Sequence, residues 1–221
     1  MKKYLTLILL NFLVLISMAQ VDASKIKNNK LKINFLLASY YCQYDKFNLN
    51  MNLKDNGIST IPLFSRGSYL GIETIMSNFA LDYKFFVSIN NDNKRSKLIQ
   101  SSHAFNLGYQ FKINKNWDIE PFLGYTFTTY NSKINIFNDN KNIIATNVSN
   151  STSSLMELYL YTSSLGFGFK TSISDYKFFV NYNYQLQSSQ WKSDFSNLIG
   201  FPQERINYFQ VGIELPIKMK K

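Results

Sequence analysis

A histidine beside hydroxyls is the grouping in this chain that most invites a catalytic reading. His103 is the sole histidine among 221 residues, and it follows Ser101 and Ser102. A base next to a hydroxyl is the beginning of an activated nucleophile, provided an acid steadies the imidazole; here Glu157 or Asp92 would have to approach. Serine is abundant in the chain, so the plainer expectation is a rim histidine hydrogen-bonded to a loop. Asp118 and Glu120 stand two apart, which on a strand puts both carboxylates on one face. Such a pair does general acid–base work or holds a cation. With Lys84, Lys112 or Lys170 as partners it becomes a structural ion-pair network instead. Cys42 is the sole cysteine, and with one Cys and one His no Cys/His metal site can be assembled. It reads as a small side chain packed near a strand end, with an intermolecular bridge as the weaker alternative. No Walker-type loop or dinucleotide fingerprint follows a strand. The sequence therefore assigns no catalytic residue, no metal and no cofactor.

The elements that would carry these residues have a period of two. Apolar side chains alternate through Phe79, Leu81, Tyr83, Phe85, Val87 and Ile89, and again through Phe105, Leu107, Tyr109, Phe111 and Ile113. Successive strand side chains point to opposite faces, so this is the signature of β-structure. It predicts eight strands, at about 31–43, 67–76, 79–89, 102–113, 117–130, 159–173, 177–188 and 204–218. Short turns at Ser77-Asn78, Asn114-Lys115-Asn116 and Ser174-Asp175-Tyr176 have the composition tight turns need. Long connections at about 44–66, 90–101, 131–158 and 189–203 are rich in Asn, Ser and Lys. Short alternating with long is the layout of an outer-membrane barrel, and an even strand count leaves both termini on the periplasmic side. Eleven residues at about 3.3 Å each, tilted near 45°, cover roughly 25 Å, the height of the apolar band in such barrels.

A soluble barrel would also alternate, with its apolar face inward. Two features favour the opposite arrangement. The polar face carries six of the nine glycines, Gly71, Gly108, Gly124, Gly166, Gly168 and Gly212, which make room inside a narrow cylinder. It also carries nearly balanced charges: Glu73, Asp82, Lys84, Lys112, Asp118, Glu120, Lys170, Lys177 and Glu214. Phe86, Phe122 and Phe179 fall on the same face. Ion pairs and glycines then crowd the lumen while aromatics meet lipid. Eight strands leave an interior filled by side chains, which argues against a general porin. The expected fold class is all-β, an eight-stranded antiparallel up-and-down transmembrane β-barrel.

Composition agrees. Aromatics make up 16% of the chain and charged residues 17%, which excludes a disordered segment and a Glu/Lys-rich helical bundle. Net charge is +10, but the bases are dispersed, the densest group being Lys94-Arg95-Ser96-Lys97. Attraction to a surface rich in lipid phosphate accounts for them, and nucleic acid is not an expected partner. Lys2 and Lys3, the apolar run 4–16 and Ser17-Met18-Ala19 before Gln20 have the three parts of a secretory signal. The domain plan is a signal peptide at 1–19, a short periplasmic segment at 20–30 and the barrel at 31–221.

The stretch from Phe105 to Thr129, FNLGYQFKINKNWDIEPFLGYTFTT, resembles the central hairpin of the outer-membrane-protein β-barrel domain family. The stretch from Tyr208 to Ile217, YFQVGIELPI, is similar to that family's closing strand. The chain departs from the pattern by ending in Met219, Lys220 and Lys221 where many closing strands end in an aromatic residue. The resemblance implies a cell-surface barrel with outer-membrane lipid and the barrel assembly machinery as partners. It supplies no transferable active site. The expected role is structural or surface-interaction, adhesion or binding through long external loops, in the outer membrane and without enzymatic activity. Two alternatives stand beside it: a small outer-membrane lipid hydrolase, acyltransferase or protease using His103, and a secreted soluble barrel binding a hydrophobic ligand.

Overall fold

The computed structural model describes residues 31–55, 58–92, 96–114, 117–135, 155–173, 176–193 and 201–218. The expected signal peptide and periplasmic segment lie outside them. In chain order the elements are β1 (Lys32–Tyr44), α1 (Leu49–Asp55), β2 (Phe64–Met76), β3 (Phe79–Asp92), β4 (Ser96–Tyr109), β5 (Phe111–Lys112), β6 (Trp117–Asn135), β7 (Leu155–Ile173), β8 (Tyr176–Gln185), β9 (Ser189–Gln190), β10 (Gln203–Glu204) and β11 (Tyr208–Lys218).

Eight long strands pair antiparallel with their neighbours in sequence, and β1 also pairs with β11, closing the sheet. Closure is what removes the two unpaired edges an open sheet would leave. The seam matches Phe35 with Ile217 and Tyr41 with Val211. β5 continues β4 in unchanged register on β6, and the interruption adjoins Pro121, which has no N–H to donate. The eight-stranded antiparallel barrel expected from the alternation is the observed fold.

The orientation of the wall is also as expected. Phe85 is 38% exposed, and Tyr109 and Val180 are half-exposed on the same outer face. Phe79 and Tyr109 meet edge to face, as do Tyr125 and Phe127, in contacts typical of aromatic sheet surfaces. Inward side chains form storeys. Nearest the short turns lie the charges. Above them Tyr40, Tyr69, Phe86, Phe122 and Phe179 fill the bore. Glycines make that possible: a Cβ on Gly212 would come within 2.7 Å of the Phe179 ring, and one on Gly168 within 3.0 Å of Phe122. Next comes a layer of hydroxyls and amides. Tyr44 Oη donates to Gln100 Oε1 at 2.6 Å, Gln100 Nε2 donates to Ser102 Oγ at 3.1 Å, and Ser102 and Thr128 hydroxyls meet at 2.9 Å. Cys42 is fully buried in β1.

The far end differs from expectation. Above Phe127 the hydrophobic pattern of β6 and β7 changes phase. Tyr130, Ile134, Met156, Leu158 and Leu160 point inward and are buried, while Asn131, Lys133, Glu157 and Tyr159 point outward. The strands therefore run on to Asn135 and from Leu155, into what the sequence reads as a loop at 131–158. The expected loop at 90–101 likewise shrinks to residues 93–95, because β3 reaches Asp92 and β4 begins at Ser96. A strand that has left the apolar band needs no apolar outer face, so its polar composition imitates a loop. The other two connections carry short elements among their described residues. Residues 45–63 hold α1, whose Leu49 and Leu53 are buried, and residues 186–207 hold the β9–β10 ribbon. Phe47, Trp191, Phe201 and Ile206 complete an apolar plug in the mouth.

Candidate functional site

The lumen near the short turns gathers Glu73, Asp82, Lys84, Glu120, Lys170, Lys177 and Glu214, all buried. They arrive from β2, β3, β6, β7, β8 and β11, each on the inward phase of its strand. Lys170 Nζ reaches Asp82 Oδ2 at 2.5 Å, Glu120 Oε1 at 2.8 Å and Glu73 Oε1 at 3.5 Å. Lys84 Nζ bridges Asp82 Oδ2 at 3.2 Å and Glu214 Oε2 at 3.1 Å. Lys177 Nζ contacts Glu73 and lies 3.5 Å from Glu120 Oε2. Four carboxylates meet three ammoniums. Neutral donors carry part of the remainder: Asn34 donates to Glu73 at 2.8 Å, Gln110 to Glu120 at 2.9 Å, and the Tyr69 hydroxyl to Glu214. Hydrogen bonds to an ionised acceptor are about twice as strong as neutral ones, so these contacts matter to a buried charge.

Lys112 and Asp118, the remaining two of the nine expected lumen charges, sit opposite each other below this cluster. Lys112 is exposed and Asp118 half-buried, because both lie at the turn end where the bore opens. Asp118 and Glu120 do share a face, but Glu120 joins the lysines. Glu73, Asp82 and Glu120 also bring carboxylate oxygens within 4.8 Å of one another, the spacing of a cation site. The Lys170 ammonium already lies among all three, so the arrangement reads as an ion-pair knot.

The bore above the knot is closed. Its cavity, lined by Lys84, Phe86, Phe122, Phe179, Asn181 and Gln210 among others, measures about 10 Å³. That is about the space of one water molecule.

His103 is not at the rim. β4 extends past it to Ser96, so it lies mid-strand on the outer wall between Phe85 and Phe127. Its Nδ1 is 2.8 Å from the Tyr83 hydroxyl. Ser102 faces the lumen, on the opposite side of the wall, and bonds Thr128. Glu157, opposite Lys133 far up β6–β7, does not approach it. The acid in question is instead held by Lys133 and by the Tyr159 hydroxyl at 3.0 Å, and the Lys133 hydrogen bond keeps its carboxyl below the ordinary glutamate range. Asp92 closes β3 opposite Ser96, equally remote along the strand.

One residue that the sequence did not single out organises the mouth. Glu204, fully buried, accepts from the backbone N–H of Asn48 at 2.7 Å, the N–H of Leu49 at 2.8 Å and Trp191 Nε1 at 3.0 Å. It thereby ties α1 to the β9–β10 ribbon. A two-turn helix has no stability of its own. The burial of Leu49 and Leu53 and this carboxylate at its first turn hold it in place. Nothing in the local pattern around Glu204 marks it, since its partners are distant backbone groups.

No family model matches the chain, and no curated protein sequence matches it. Solved structures resemble it at low identity. Neisserial surface protein A, from Neisseria, is 9% identical with a TM-score of 0.45, over 83% of this chain and 96% of that one. Ail, the attachment invasion locus protein of Yersinia pestis, is 11% identical with a TM-score of 0.42, over 86% and 99%. A major outer membrane protein of Thermus thermophilus is 8% identical with a TM-score of 0.45, over 84% and 99%. At such identities no residue's role carries over, and the barrel is established by its own strand pairing.

Proposed function

We propose that this chain is an integral outer-membrane β-barrel of structural or surface-interaction type, and neither a general porin nor an enzyme. The observation that carries the reading is the inverted wall: a broad apolar and aromatic band outside, with buried ion pairs inside. In water such a surface would expose a patch far beyond what monomers tolerate. In a bilayer it is the stable arrangement for a closed sheet. Export by the N-terminal signal, insertion by the barrel assembly machinery and periplasmic termini follow from the same reading.

The filled bore supports a non-conducting role. The mouth, with α1, the β9–β10 pairing and the upper ends of β6 and β7, offers a platform for a surface ligand, and scaffolds are where binding loops are carried. Against the enzyme alternative, Ser102 lies across the wall from His103, and neither Glu157 nor Asp92 approaches the imidazole, although Ser101 shares its outward side. The soluble-barrel alternative requires the opposite facing of Phe85 and its neighbours. Cell fractionation with a heat-modifiability gel tests the reading: the protein should sediment with outer membranes and change mobility on boiling. Recovery in the soluble fraction without detergent would overturn it. His103→Ala should leave envelope lipid and protein profiles unchanged; an altered lipid acylation pattern would restore the enzyme.

A further inference from the structure

The outer wall between β1 and β2 is not uniformly apolar. Ser39 and Ser68 are register partners, and both are exposed on the lipid-facing side. The row beneath them is Leu37 and Leu70, and the flanking strands present Val87 and Ile213. An unpaired hydroxyl facing hydrocarbon is costly, so two of them side by side call for a partner that the lipid brings. Directly above lies Arg66, exposed, with Cζ 5.3 Å from the centroid of the Tyr41 ring. Tyr41 is itself stacked on Phe64 at 5.6 Å. The guanidinium lies over the Tyr41 ring, and among the described residues no carboxylate pairs with it.

The height is that of a headgroup. Arg66 stands ten residues up β2 from Met76 at the short-turn end. At about 3.3 Å per residue and a tilt near 45° this is roughly 23 Å, close to the full ~25 Å of the apolar band. Arg205 repeats the device further round the same edge, 5.8 Å from the Tyr184 ring. Two of the three arginines in the chain are thus laid on aromatic rings of the outer wall, while most of its bases are lysines. The planar fork of arginine binds phosphate oxygens in pairs, as a lysine ammonium does not.

We propose that the notch of Ser39, Tyr41, Arg66 and Ser68 binds the phosphate of an anionic membrane lipid. Arg66 takes the phosphate, and the two serine hydroxyls donate to ester or sugar oxygens below it. Arg205 on Tyr184 is a second, simpler contact of the same kind. The inference rests on the membrane reading above, and its test separates the two. The full chain is folded into nanodiscs of equimolar phosphatidic acid and phosphatidylcholine, and co-purifying lipid is counted by native mass spectrometry. The wild type should retain phosphatidic acid in preference by about tenfold, the factor one charge-assisted hydrogen bond supports. Arg66→Gln should lose most of that preference, Arg66→Lys should keep only part, and Ser39→Ala with Ser68→Ala should weaken it without removing it. Excess inorganic phosphate should not displace the lipid; displacement would overturn a lipid site in favour of a free-anion one. A heat-modifiable, inserted protein without lipid preference, or Arg66→Gln with the wild-type preference, overturns the notch alone. Failure to enter the nanodisc overturns the membrane reading and the notch with it.

Discussion

Lys170→Met is the sharpest test of the lumen. The side chain is fully buried, and its ammonium serves three carboxylates at 2.5, 2.8 and 3.5 Å. Methionine preserves the stem and removes the charge. Four carboxylates would then face two ammoniums, with Glu73, Asp82 and Glu120 still within 4.8 Å of each other. Breaking one buried pair costs about 3–5 kcal/mol because the surviving charge is stranded. A cation shared by three acids belongs well inside that range. Taking about 4 kcal/mol, the folding equilibrium falls roughly a thousandfold. With a urea slope of about 1–3 kcal/mol per molar, the unfolding midpoint in micelles should drop by more than about 1 M, read from gel mobility and tryptophan fluorescence. Asp82→Asn added to Lys170→Met restores the original charge difference and should recover much of the loss. A single variant as stable as the wild type, or a double variant worse than the single, would refute the account of the lumen as a mutually dependent ion-pair knot.

Glu204→Gln replaces a carboxylate that accepts three N–H groups and should cost about 2–3 kcal/mol, confined to the mouth; limited proteolysis within residues 45–63 should accelerate while the boiled-versus-unboiled mobility difference persists. Gly168→Ala should lower the unfolding midpoint by an amount equivalent to about 1–3 kcal/mol, since the added methyl meets the Val180 carbonyl and the Phe122 ring; an unchanged midpoint would mean the bore is looser than described. Glu157 is held in its charged form chiefly by Lys133. With its folded-state pKa depressed, its contribution is complete above the unfolded value of about 4.3 and is lost as pH falls through the lower folded one. The NMR titration of its carboxyl carbon should therefore have a midpoint below that value, and Lys133→Met should raise it.

The strands most legible from sequence are those wholly inside the apolar band. Phe79 to Ile89 and Phe178 to Tyr184 alternate cleanly because lipid constrains one face and the packed lumen the other. The inward charges are legible by the same phase, and Lys112 and Asp118 separate from the rest only because the bore opens at its turn end. Legibility fails where the surrounding solvent changes. Above Phe127 the outward residues of β6 are free to be any polar type, and Thr129, Asn131 and Lys133 there imitate a connection. Helix α1 is too short for a periodic signal and depends on Glu204, 155 residues away from Leu49. His103 moves from rim to mid-strand for a related reason: the alternation alone starts β4 at Ser102, and the polar residues before it hide six more residues of strand.

The change of phase along β6 and β7 makes the wall a ruler. Below it, side chains sort by affinity for hydrocarbon; above it, by avoidance of water; and the crossover falls within the few residues between Phe127 and Tyr130. Moving that crossover by swapping one inward–outward pair should tilt or sink the cylinder by about one rung. The chain thus encodes the thickness of the film it was shaped for, and a thinner or thicker host would be felt first at this collar.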